Sequence, residues 1–153
     1  MVRWLTAIFA ALVLLVLSST AGAATSTAES ALLKEMNAVR AAHGLPPLHS
    51  DAHLERAARS HTTTMLATGV FRHGAFGSRM RRFDVRGRVA GENLAWGSGT
   101  RGSARAIVVA WLASPEHRAN LLRRSFTRVG VGDRVGAFQG QADAHVVTAD
   151  FAG

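Results

Sequence analysis

The chain has 153 residues, no cysteine and a formal charge of +8, with 18 basic and 10 acidic side chains. The lack of cysteine excludes disulfides, thiol catalysis and cysteine-ligated metal sites. The positive charge favours contact with anionic polymers or phospholipid head groups, and it is equally typical of a solvated basic surface. No zinc-finger, helix-turn-helix or aromatic RNA-binding motif accompanies it, so we expect no specific nucleic-acid partner.

The N-terminal segment has the pattern of an export signal. A positive start precedes an apolar run over residues 4–17, and Ala-Gly-Ala at residues 21–23 matches a small-residue cleavage site. The run is shorter than the ~20 apolar residues that span a bilayer, which favours a cleaved signal over residues 1–23 and not a retained anchor. We therefore expect a linker at 24–28 and one domain at 29–153. The mature protein is expected to be a monomer without a transmembrane segment, secreted or in the cell envelope, the periplasm included.

Hydrophobic periodicity predicts two long helices at the start of the domain. The first covers residues 29–43 and ends at Gly44, and the second covers residues 51–68, capped by Ser50 and ended by Gly69. The inner face of the second helix is expected to carry Leu54, Ala57, Ala58, His61 and Met65.

Shorter elements are expected in the middle of the chain. Residues 71–88 are irregular with a short helix near 78–83, and residues 89–96 form a short strand or a packed loop. Two further helices are expected at 103–113 and 116–123.

Two strands are expected at the end of the chain, at 128–135 and 145–151, joined by a loop over 136–143. Helices followed by antiparallel strands indicate an α+β domain with helices packed on a small sheet.

Ionisable side chains embedded among apolar residues indicate a cleft. Glu92 lies in the run 91–96, His117 in the run 111–122, and His73 follows Phe71-Arg72. Two neutral imidazoles and a carboxylate would suit a zinc ion that keeps an open position for water. Alternatively, Glu92 accepts hydrogen bonds from both histidines in a structural network, or the three line a small-ligand site.

Several other polar and aromatic residues have simpler interpretations. His61 is expected to be a core histidine, and Trp96 and Trp111 are expected to be core anchors. Asn93 and Asn120 are predicted to bond backbone groups in turns. The remaining histidines and the basic run Arg79-Met80-Arg81-Arg82 are expected to lie on the surface; these histidines are His43, His49, His53 and His145.

The order of these motifs resembles the CAP superfamily, also called the SCP or PR-1-like domain, in its bacterial secreted branch. The resemblance spans Glu29 to Phe151 and implies an α-β-α sandwich with a central antiparallel sheet. Its main landmarks are Gly44-Leu45-Pro46-Pro47-Leu48, His61, Met65, His73, Gly91-Glu92-Asn93-Leu94-Ala95-Trp96, Trp111, Ser114-Pro115-Glu116-His117-Arg118-Ala119-Asn120-Leu121-Leu122, Val129-Gly130-Val131-Gly132 and Thr148-Ala149-Asp150-Phe151.

The resemblance also implies a cleft with two histidines and two glutamates, which binds a divalent metal in some members. By position, His73, Glu92 and His117 match three of the four, and they are the candidate ligands for zinc or another divalent ion. Ser114 stands where the second glutamate is found, and Ala149 stands where glutamine is common.

The missing glutamate favours a non-enzymatic secreted domain that binds a small ligand, a lipid or an envelope component. The alternative is a metal-assisted extracellular hydrolase of protease type, in which Glu92 or Glu116 is the general base and His73 or His117 holds the metal or orients a water. The catalytic candidates are then Glu92, His117 and His73. A secreted basic nuclease is the remote alternative.

Overall fold

The structure is a computed structural model that describes residues 26–153. The predicted signal at 1–23 lies outside the described residues. The helices are α1 Thr27–Ala42, α2 Ala52–Thr68, α3 Phe76–Arg82, α4 Ala104–Ala113 and α5 Pro115–Leu121. The strands are β1 His49–Ser50, β2 Ala90–Ser98, β3 Arg128–Phe138 and β4 Gln141–Ala152. No helix within 26–153 is long and apolar enough to cross a membrane.

The four strands form one sheet in the order β1-β3-β4-β2, which lies between the helices. β4 pairs with β2 and β3 in antiparallel fashion, whereas β1 pairs with β3 in parallel. The fold is therefore α+β as predicted, but the sheet is mixed and not purely antiparallel. Since β1 has only two residues, it has no periodicity that the sequence could reveal.

Alternation along β4 separates the two faces of the sheet. Val147, Ala149 and Phe151 join the large core formed with α1, α4 and α5, while Ala144 and Val146 pack with Met65 of α2. Thr148 and Asp150 occupy even positions of the same strand and are fully buried. The face towards α2 and α3 therefore includes polar side chains, which the candidate site uses.

The helix starts differ from the prediction because of their caps. Ser26 and Glu29 form a reciprocal capping box, so α1 begins at Thr27, inside the segment predicted as a linker. Asp51 caps α2 by accepting from the backbone amides of His53 at 2.9 Å and Leu54 at 3.1 Å. Ser50, the predicted cap, is instead part of β1.

The β3–β4 connection is a tight hairpin, so the predicted loop over 136–143 is wrong. Only Gln139 and Gly140 separate the strands, with φ angles of 48° and 78°. Positive φ at both central residues is the geometry of a type I′ turn, whose twist matches that of the flanking strands. The segment 89–96, left open between strand and loop, is the strand β2, and a short 3-10 turn, Gly99–Gly102, follows it.

A buried arginine connects α1 to the segment after α5. Arg40 is fully buried and donates to the carbonyls of Pro46, Leu121, Arg123 and Phe126 at 2.9–3.1 Å. Backbone carbonyls thus compensate for the lost hydration of the guanidinium, although burial still lowers its pKa.

Close packing of α2 on β3 depends on a glycine, and this gives a first prediction. A Cβ on Gly130 would lie 2.0 Å from the carbonyl carbon of Leu54 and 2.1 Å from the amide nitrogen of Glu55. Gly130→Ala would push the α2 backbone off the sheet, and we expect it to lower the free energy of unfolding by about 3 kcal/mol or more. Urea denaturation measures this loss.

Gly136→Ala is the matched control on the same strand. Its Cβ would meet only the Leu66 side chain, at 3.2 Å, which can rotate away. We expect it to cost less than about 1 kcal/mol. Equal destabilisation by both variants would contradict the close backbone approach at Gly130.

Candidate functional site

Glu92 lies near the start of β2, directly opposite Asp150 on β4. Paired residues on antiparallel strands point to the same side of the sheet, and this side faces α2 and α3. Only 3% of the Glu92 side chain and none of the Asp150 side chain is exposed. The pairing therefore places two carboxyl groups together in the interior.

Both oxygens of Glu92 have partners. Oε1 lies 2.7 Å from Nδ1 of His73, and Oε2 pairs with the guanidinium of Arg79. Nε2 of His61 is 3.8 Å from Oε2, and the same nitrogen lies 2.9 Å from the carbonyl oxygen of Arg72. A carbonyl only accepts, so we assign the proton of His61 to Nε2.

Asp150 lies next to the ion pair of Glu92 and Arg79. Its Oδ1 is 3.5 Å from Nη2 of Arg79, and neither carboxyl oxygen has a hydrogen-bond partner of normal geometry among the described residues. Burial and then the charge of Glu92 raise the pKa of Asp150 well above its usual value, against the opposing effect of Arg79. Burial likewise raises the pKa of Glu92 to about 7, again opposed by Arg79. The arrangement of lowest free energy keeps one proton on Asp150 and leaves the negative charge on Glu92.

The two cleft histidines have different environments. His73 precedes α3 and its side chain is 57% exposed, whereas His117 lies on α5 and is half-buried. Burial and then the charge of His73 lower the pKa of His117, so His117 is neutral at pH 7.

Two asparagines hold α5 against β2. Asn93 donates to the carbonyl of His117 at 2.9 Å, and Asn120 donates to the carbonyl of Glu92 at 3.1 Å and to the side chain of Asn93 at 3.0 Å. The prediction that both bond the backbone is confirmed, but they bridge a strand and a helix and do not lie in turns. They fix the position of His117 relative to Glu92.

Arg79 competes with any cation for the carboxylate of Glu92. Within 26–153, no three histidine, aspartate or glutamate side chains are grouped so that they could hold a metal ion. His73 and Glu92 are in contact, but Arg79 puts a positive charge on the carboxylate that would have to bind the cation. The assignment of His73, Glu92 and His117 as ligands for a divalent ion therefore stays a prediction, with Arg79 as the competitor for the carboxylate.

An apolar pocket of about 310 Å³ opens beside His117. Its walls include Phe71, Leu94, Trp96 and Trp111, and Ser114 and His117 supply its polar edge. Trp111 is buried, with its indole nitrogen donating to the carbonyl of Leu94 at 2.9 Å, which confirms it as a core anchor.

Trp96 differs from its prediction as a core anchor, because 39% of it is exposed. Its ring meets Phe138 edge-on at 5.9 Å, and Phe71, also 39% exposed, meets Phe138 at 6.4 Å. Trp96 lies near the end of β2, and part of its ring extends beyond the core. An exposed aromatic wall therefore faces the pocket.

Sequence reasoning missed Arg79 and Asp150. Arg79 was assigned to a solvated run, yet its side chain is only 10% exposed and Met80 is buried. Arg81 and Arg82 of the same run are exposed. Only the packing of α3 distinguishes Arg79 from its neighbours, so composition carries no signal for it. Asp150 had one usable signal, a lone acid within an apolar strand.

The predicted placement is correct for some of the other histidines and wrong for others. His61 is 8% exposed and confirmed as a core residue, although it also borders Glu92. His145, predicted to lie on the surface, is partly buried and its Nδ1 lies 2.9 Å from Oδ2 of Asp133. Nδ1 of the exposed His53 lies 2.9 Å from the carbonyl oxygen of Phe83.

The buried carboxyl pair gives a prediction on pH. The folded-state pKa of Asp150 exceeds its unfolded value, so the folded state binds more protons and the stability from this group falls as pH rises above about 4. His61, whose pKa is lowered to about 4 mainly by burial, acts in the opposite direction. Because the wild type and an Asp150 variant both keep His61, the effect of His61 cancels when their stabilities are compared. As the pH rises from 5 to 8, we expect the free energy of unfolding of Asp150→Asn to increase by at least about 1 kcal/mol relative to that of the wild type.

Urea unfolding of both proteins at the two pH values measures this gain. Asp143→Asn, an exposed acid on the same strand, is the control and should follow the wild type. An Asp150→Asn variant that also follows the wild type would show that Asp150 is ionised in the folded protein.

Known proteins share this fold and sequence pattern. The profile of the family "CAP: Cysteine-rich secretory protein family" matches residues 33–151. The chain is 34% identical over 120 residues to the uncharacterized protein YkwD of Bacillus subtilis, covering 75% of this chain and 46% of YkwD. It therefore spans less than half the length of that relative.

Solved structures agree. An extracellular protein containing an SCP domain from Bacillus anthracis superposes with a TM-score of 0.69 at 29% identity, over 81% of this chain and 39% of that one. An outer surface protein of Borrelia burgdorferi also gives 0.69, at 23% identity, over 84% of this chain and 96% of its own; this second likeness concerns the fold alone. Since the family match covers most of the chain, the protein belongs to the CAP family of cysteine-rich secretory proteins, although it contains no cysteine itself.

Proposed function

We propose that this protein is a secreted, non-enzymatic binding protein whose cleft takes a small ligand with an apolar part, such as a lipid or another envelope component. The observation that carries the proposal is the apolar pocket of about 310 Å³ with Phe71 and Trp96 exposed at its wall. Large aromatic side chains left open to water beside a concave surface are typical of ligand sites.

The polar edge of the pocket suits an uncharged hydrogen-bonding group. His117 is neutral because burial and the charge of His73 lower its pKa, and Ser114 offers a hydroxyl. A neutral imidazole and a hydroxyl can each donate or accept. A hydroxyl or ester group of an amphipathic ligand could bond there while its apolar part lies on Trp96.

Hydrolysis has less support. A general base needs a carboxylate lone pair that can reach a water, but both oxygens of Glu92 are held by His73 and Arg79 and only 3% of its side chain is exposed. Glu116 is exposed on α5, in the first turn of the helix, and it does not line the cleft pocket. The nuclease alternative has no arrangement of its own to support it.

Export is supported by two observations. The N-terminal residues have the order of a cleavable signal, and the related protein of Bacillus anthracis is described as extracellular. We therefore place the binding function outside the cell or in the envelope.

Binding of an apolar probe tests the cleft. We expect the neutral dye N-phenyl-1-naphthylamine to bind, with a rise in fluorescence that a medium-chain monoacylglycerol reverses. Trp96→Ala removes the exposed aromatic wall, and we expect it to weaken dye binding about tenfold, as for a buried aromatic anchor.

Val135→Ala is the matched control, since Val135 is a 55% exposed apolar residue of β3 that does not line the pocket. It should leave the dye affinity unchanged, and thermal melting should show both variants folded. Failure of the dye to bind, or equal weakening by both variants, would remove the support for a ligand cleft.

Metal addition tests the competing hydrolase. Because Arg79 already forms an ion pair with Glu92, we expect calorimetry to show no stoichiometric heat of Zn²⁺ binding. Adding Zn²⁺ should change the melting temperature of the EDTA-treated protein by less than about 1 °C. A stabilisation by Zn²⁺ that is lost in both His73→Ala and His117→Ala would instead restore the metal site. His43→Ala, an exposed histidine after α1, controls for adventitious binding.

A further inference from the structure

A second pocket, of about 250 Å³, lies between α2 and α3, and none of its lining residues also lines the apolar cleft. α2 contributes Ser60, His61 and Thr64, and α3 contributes Ser78, Arg79 and Arg82. None of the described residues that line it is acidic. It holds the equivalent of about eight waters at ~30 Å³ each, which is room for a molecule of the size of a monosaccharide.

Two arginines line this pocket at different depths, and Arg79 is already paired with Glu92. Arg82 is exposed at the mouth, with its guanidinium 5.6 Å from the centre of the Phe83 ring. Arg79 lies deeper, and its Nε is buried without a hydrogen-bond partner in the described part of the chain. A buried donor left unpaired is unfavourable.

The hydroxyl groups add further polarity. Ser78 accepts a hydrogen bond from Arg81 at 3.0 Å, which leaves its own proton to donate. Thr64 donates to the carbonyl of Ser60 at 2.9 Å, and its oxygen keeps lone pairs for a ligand hydroxyl. The pocket thus offers charged donors together with groups that suit a polyhydroxylated ligand.

We propose that the pocket between α2 and α3 binds the phosphate group of a small phosphorylated molecule. The guanidinium of Arg82 is free to meet phosphate oxygens in the two-point manner typical of arginine, and the Ser78 hydroxyl adds a donor from one turn away. This site is separate from the apolar cleft, and neither depends on the other being correct.

Calorimetry on the purified mature chain tests the proposal with three probes: glucose 6-phosphate, inorganic phosphate and glucose. We expect glucose 6-phosphate and inorganic phosphate to bind and glucose to give no heat. Arg82→Gln should weaken phosphate binding at least about tenfold, the effect of losing a hydrogen bond to a charged group. Ser78→Ala should weaken it less.

Arg105→Gln is the control, because it removes the same charge from an exposed position on α4 outside the pocket. It should leave the affinity unchanged at constant ionic strength. Equal weakening by Arg82→Gln and Arg105→Gln would show non-specific attraction to a basic protein and overturn the proposal. The proposal also fails if no phosphate binds or if glucose binds as well as its phosphate.

Discussion

The guanidinium of Arg79, shared between two buried carboxyl groups, determines the chemistry of this domain. It joins α3 to two neighbouring strands of the sheet, because Glu92 belongs to the edge strand β2 and Asp150 to β4. Removing three ionisable groups from water is costly unless their charges compensate. One cation, one carboxylate and one protonated carboxyl sum to zero, and this state is the one that the raised pKa of Asp150 favours. The register of β2 on β4 and the docking of α3 are therefore linked to a single protonation state.

This compensation leaves the cleft without a free acid or base at its floor. Glu92 faces inwards to Arg79 and accepts from His73, so the residue that resembles a catalytic or metal-binding glutamate serves to position the loop that carries His73. Ser114, in place of a second glutamate, adds no charge at the rim. The accessible groups are the imidazoles of His73 and His117, the Ser114 hydroxyl and the aromatic wall of Phe71 and Trp96. Such a surface can select ligands by shape and apolar area, which is why binding is better supported than hydrolysis.

Local patterns predicted most of the fold and part of the site. Periodicity placed α1, α2 and α4 within one or two residues, since each buries one face of a regular helix. The sequence could not reveal β1, whose two residues pair only because β3 lies beside them. Nor could it separate Arg79 from the other arginines of its run, because their chemistry is identical and only the packing of α3 differs. The contact of Glu92 with Asp150 required the register of two strands far apart in the chain, which local pattern does not encode.

The distribution of charge around Arg79 gives the two pockets different selectivities. On the cleft side its charge is cancelled by Glu92, and His117 is neutral, so a charged ligand gains nothing there against its loss of hydration. On the α2–α3 side the pocket has no acidic lining residue, and Arg82 adds an uncompensated charge at its mouth. The two proposals therefore assign apolar ligands to the cleft and anions to the pocket between α2 and α3. The strongly basic composition alone says little about function. The pocket between α2 and α3 is the place where we assign basic side chains a role.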